Sequence, residues 1–139
     1  MELTSAEKTL AMLAHVAIVL SVIPSAGTFL ALVGTIVIFF VQKDKSKFVA
    51  DHAKQAAIWI LLLMLVGLVF GLVNMALIGA LVATGGRFGA VGLAGVLSHI
   101  RWLVTLAFVA YGIFAGLQAH NGKEFTYAVV GKLANTLNL

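Results

Sequence analysis

Apolar residues run almost unbroken through four stretches of this chain, and most of its charges fall in the gaps between them. The first run, Leu10 to Ile23, follows Thr4, Ser5 and Glu7. A hydroxyl residue with a glutamate three positions on predicts a capped helix start. Pro24-Ser25-Ala26-Gly27 is an uncharged turn. The second run, Thr28 to Val41, is β-branched and aromatic. In lipid only helices and closed barrels satisfy their own backbone, so it reads as a helix. Gln42 to Lys47 is the strongly polar loop, and Phe48 to Gln55 starts the third helix at the interface. A long run follows to Val82, then glycines at 86, 89, 92 and 95. That spacing reads as a mobile loop or a weak interfacial segment. The last run, Ile100 to Ala119, ends at His120-Asn121-Gly122, a good helix stop. The pattern predicts helices over about 5–23, 27–42, 50–82 and 98–119, with an amphipathic surface tail over 123–137.

Composition turns these helices into membrane spans. Hydrophobic residues make up 62% of the chain and charged ones 10%, with a mean hydropathy of +1.11. Soluble domains sit near about half and a quarter. The expected fold is all-α: a single polytopic membrane domain with four transmembrane helices. The first two runs are short for a bilayer core of ~30 Å, so full crossing there would need local thinning. The N-terminal stretch, with Glu2 and Glu7 around one lysine, is not expected to be a secretory signal.

The chain has no cysteine, which rules out disulfides and thiolate metal sites. Its net charge is +4. Because the lysines flank the spans, the expected contacts are anionic lipid headgroups at the cytoplasmic face, not nucleic acid. With four spans, Lys8, Lys43, Lys45, Lys47, Lys54, Lys123 and Lys132 share one side, against Arg87 and Arg101 on the other. The positive-inside rule then makes both termini cytoplasmic.

Polar groups inside spans are the candidates for function. His15 lies in the first helix and Asn74 well along the third. Each reads first as an interhelical hydrogen bond. A haem ligand or proton carrier is the sharper reading of His15, but no second histidine is clearly level with it along the sequence. Asp51, His52 and Gln55 cluster where the third helix starts, and Asn121 closes the fourth. No nucleophile or orienting group accompanies them, so no enzyme is expected. Arg101 with Trp102 reads as an interfacial anchor. Gly67 with Gly71, and Gly112 with Gly116, form two GxxxG faces. These suit packing of helix three on helix four, or contact between copies.

Several local features together carry a family resemblance: His15 within Leu10 to Leu20, the single Pro24, the stretch from Lys43 to Ala57, and the exit from Gln118 to Tyr127. Phe48, Asp51, His52, Gln55 and Ala56, followed by Asn121-Gly122, are its most specific part. The order resembles a bacterial four-span membrane family of unknown function related to the Tic20-type subunit of the chloroplast inner-envelope import translocon. The resemblance implies four helices, termini inside, and a bacterial inner membrane. The expected function is a non-enzymatic scaffold, assembly factor or transport-associated subunit without a cofactor, acting as a homo-oligomer or a member of a membrane complex. The alternatives are an oligomeric channel or transporter using His15 and Asn74, and a haem-binding membrane subunit.

Overall fold

The computed structural model describes residues 2–23, 26–131 and 136. The Pro24 turn and most of the outer tail, Lys132 included, lie outside them. The described residues form four α-helices and no strand: α1 (Ser5–Val16), α2 (Gly27–Gln42), α3 (Lys47–Ala83) and α4 (Arg87–His120). Three segments are long and apolar enough to cross a membrane: Ser5–Val22, Lys47–Ala83 and Arg87–His120. α2 is apolar but shorter.

α1 starts as its sequence predicts. The Thr4 hydroxyl accepts the Glu7 N–H at 3.2 Å, and the Glu7 carboxylate accepts the Thr4 N–H at 2.9 Å. The pair satisfies backbone donors that the first helical turn leaves free. The expected single helix over 5–23 is instead α1 continued by a 3₁₀ segment, Ala17–Val22. A 3₁₀ turn rises ~2.0 Å per residue against ~1.5 Å for an α-helix, so the two together reach about 30 Å. The stretching gives a short run the reach of a bilayer core. The returning chain presses Gly27 against the Leu20 carbonyl, where a side chain has no room.

α3 is capped by Ser46, whose hydroxyl also donates to the Glu7 carboxylate at 2.6 Å. This ties the start of α1 to the α2–α3 turn. α4 closes with two bonds: Gly122 N–H to the Ala119 carbonyl, and Lys123 N–H to the Gln118 carbonyl. Gly122 takes a φ of +72°, the left-handed turn this ending requires. Asn121 is therefore the C-cap of α4.

The glycine-rich stretch departs from expectation. Gly89, Gly92 and Gly95 are helical, and α4 begins at Arg87 rather than near 98. Glycine weakens a helix by about 1 kcal/mol per residue. An unpaired backbone group in hydrocarbon costs several, so the helix wins. At ~1.5 Å per residue, the 37 residues of α3 and 34 of α4 reach about 55 and 51 Å.

The core occupies one end of this long pair. α1 and the 3₁₀ segment pack on α4, α2 packs on α3, and α1 also touches α3. On α3 the last buried residue is Leu63. On α4, apart from Ala90, burial begins at Val109. The rest of α3 and α4 forms a two-helix arm with exposed apolar sides.

The glycine motifs are used unequally. A Cβ on Gly112 would stand 2.6 Å from Ile18 Cγ2, and one on Gly116 would stand 2.9 Å from Val16 Cγ2. This close approach joins α4 to α1 and the 3₁₀ segment, not to α3 as expected. A Cβ on Gly67 would meet only the Arg101 guanidinium at 4.0 Å, and Gly71 faces open space. The expected glycine seam of helix three on helix four is therefore not built.

Candidate functional site: a buried histidine–tyrosine latch

The capped end of the bundle gathers the candidate polar residues. His15 comes from the third turn of α1, and His52 and Gln55 from the second and third turns of α3. His15 Nε2 lies 2.8 Å from His52 Nδ1, and His15 Nδ1 lies 2.9 Å from the Tyr127 hydroxyl. The Tyr127 N–H donates to Gln55 Oε1 at 3.3 Å. His15 and Tyr127 are 1% exposed and His52 2%, so water cannot replace these bonds.

The hydrogen-bond pattern assigns the protons. His52 also bonds the backbone of Lys123. The Lys123 N–H already serves Gln118 in the α4 ending, so its carbonyl is the acceptor. His52 therefore carries its proton on Nε2 and accepts on Nδ1. His15 then donates from Nε2 and accepts the Tyr127 O–H on Nδ1. The chain runs Tyr127 to His15 to His52 to the Lys123 carbonyl, with every ring nitrogen satisfied.

Aromatic packing closes the latch. The Trp59 ring stacks between Phe108, with centroids 4.3 Å apart, and Tyr127, 4.6 Å away. Its indole N–H donates to the Phe108 carbonyl at 3.2 Å. Phe125 meets His15, Tyr111 and Tyr127 edge-on. The segment after α4 is thus folded into the bundle through Phe125, Tyr127 and Val130. The expected surface tail over 123–137 is corrected for these residues, because residues two apart in an extended segment share a face and these two are both aromatic.

This geometry changes the reading of each candidate. His52 is level with His15, contrary to the sequence expectation, because α1 and α3 run side by side from the same end. The two rings occupy each other's binding nitrogens at 2.8 Å, which leaves no slot for a haem between them. His15 points into its own protomer and Asn74 lies out on the arm, so the two do not line a shared path. Asp51 pairs with Lys54 at 3.6 Å rather than with His52. Asp51, His52, Gln55, Lys47 and Glu124 line a cleft of about 210 Å³ beside the latch. Among the described residues no group of three or more His, Asp or Glu side chains is placed to hold a metal ion. The latch can hold the tail and two helices in register. Burial, with Tyr111 nearby, pushes the Tyr127 phenol up from its ordinary value. Sequence reasoning missed Tyr127 and Trp59 as partners of the histidines. The available signal was the alternation of Phe125 and Tyr127 directly after a glycine stop.

The magnetosome magnetite crystal formation protein family, MamF/MmsF, matches residues 6–134, and the chain belongs to it. It is a small bacterial membrane protein. The match supports no relationship to the Tic20-type import component. No curated protein and no solved structure matches the chain.

Proposed function

We propose that this member of the MamF/MmsF family is a non-enzymatic scaffold of the magnetosome membrane that acts in magnetite crystal formation. The family match over residues 6–134 carries this reading. The geometry supports the scaffold role. The polar residues of the latch hold helices together and present no reaction centre.

All four helices cross the bilayer in this reading, with α2 as the short crossing. Both termini and the lysine-rich α2–α3 turn face the cytoplasm and meet anionic headgroups there. The turn at Thr84–Gly86 and Arg87 then faces the compartment where the crystal grows. The exposed apolar arm is the surface for other membrane helices, of a second copy or of another subunit. The test is genetic. In a magnetite-forming bacterium that encodes the chain, its gene is removed and crystals are sized by electron microscopy. Smaller or misshapen crystals, restored by the wild type and not by Gly112→Leu, are expected. Crystals of unchanged size, shape and number without the chain would sink the proposal.

A further inference from the structure

A second cavity lies away from the latch, where the arm leaves the bundle. It measures about 370 Å³ and is lined by Ser21, Thr28, Gly67, Arg101 and Thr105 among apolar side chains. Its rim residues Phe29 and Leu68 are each 59% exposed, so it opens sideways toward whatever surrounds the helices.

Two side chains in it lack polar partners among the described residues. The Ser21 hydroxyl oxygen is buried with no hydrogen-bond partner. A buried hydroxyl without one is costly. Arg101 has no ion-pair partner among the described residues. Its guanidinium is level with Gly67 of α3. Ser21 lies in the last turn of the 3₁₀ segment and Thr28 in the first turn of α2, where the ~30 Å reach of the first crossing ends, so the cavity and its arginine lie where the apolar belt meets the headgroups. An arginine there reaches for headgroup phosphates.

We propose that this cavity is a phosphate-binding site that seats the headgroup phosphate of a phospholipid from the Arg101-side leaflet. The planar guanidinium takes two phosphate oxygens, as its fork geometry favours. The Ser21 side chain turns its hydroxyl from its buried position into the cavity and donates to a third. The acyl chains lie along Phe29, Met64 and Leu68. Thr105 already donates to the Arg101 carbonyl at 3.0 Å, which steadies the helix beneath the site. The site is independent of the crystal-forming role, because its readout is lipid binding by the isolated protein.

The test is native mass spectrometry of the full chain, stripped of lipid in detergent and titrated with phosphatidylglycerol or inorganic phosphate. One tightly held phosphatidylglycerol per protomer is expected. Arg101→Gln should weaken it at least about tenfold, Arg101→Lys less, and Ser21→Ala a few-fold. The paired change Lys43→Gln with Lys45→Gln, at the other end, should leave it unchanged. Helical circular dichroism confirms folding of each variant. If inorganic phosphate displaces the lipid, the site belongs to free phosphate; if it does not, the lipid is the source. Wild-type affinity for both probes in folded Arg101→Gln and in Ser21→Ala overturns the proposal.

Discussion

The latched end of the bundle and the α3–α4 arm are both built from apolar sequence, yet only one of them is a core. At the latched end, small residues let helices approach: Ala14, Ala53 and Ala56 form one cluster, and Gly112 and Gly116 admit α1. Buried polar side chains there bond one another across helices. The arm carries Leu68, Leu72, Met75 and Phe88 outward and has no comparable polar bonds. In water both surfaces would be driven inward. In lipid apolarity rewards neither, and close packing with interhelical hydrogen bonds decides which helices associate.

The largest effect that would break this comparison is steric. Gly112→Leu forces atoms against Ile18 and the His15 carbonyl, at 2.6 and 3.3 Å from the first added carbon. A loss of about 3 kcal/mol is expected, in the range of overpacked cores. Gly71→Leu enters open space and removes a helical glycine, so it should leave stability unchanged or raise it by up to about 1 kcal/mol. Equilibrium unfolding in mixed micelles measures both, and equal losses would remove the distinction between the two ends.

The next effect is polar. His15→Leu leaves His52 Nδ1 and the Tyr127 hydroxyl without partners in a buried site. About 2 kcal/mol should be lost. Asn74→Leu on the arm should fall within ~0.5 kcal/mol of the wild type. A double-mutant cycle between His15 and Tyr127 should show coupling of at least about 0.5 kcal/mol, and strict additivity would contradict the hydrogen bond between them.

The smallest effect sharpens the role of the tail. Tyr127→Phe should lose about 1 kcal/mol at neutral pH, because His15 Nδ1 loses its donor. The folded phenol titrates above its ordinary 10.0, so the unfolded chain releases its proton first. Stability from this source is complete below that pH and falls as pH rises past it. Tyr127→Phe should remove that part of the alkaline loss. An unchanged alkaline midpoint would show that Tyr127 is not buried in the latch.

Much of the local structure was legible along the chain. The capping box of Thr4 and Glu7 follows from side chains that bond backbone within a turn of themselves, the stop at Asn121-Gly122 from a glycine free to take a positive φ, and the bounds of α2 from the polar residues on either side of its apolar run. The helical glycine stretch from Gly89 to Gly95 was not legible, because its spacing matches a loop as well as a helix and only the apolar surroundings choose. The 3₁₀ stretching after Val16 was likewise invisible, since residues 17–22 read equally well as an α-helix.

The candidate site divides in the same way. His15, His52 and Gln55 stood out as polar residues in apolar runs, and that exception to a pattern needs no coordinates. Their meeting with Tyr127 did not, since 112 positions separate His15 from the hydroxyl it accepts. Apolar periodicity determined that this chain is helical and lives in a membrane, because burial of backbone in lipid permits little else. Tertiary structure alone decided which glycine pair is filled, which histidines touch, and which cavity Arg101 lines. Those depend on the register between helices, which is set by packing across the bundle rather than by neighbours in sequence.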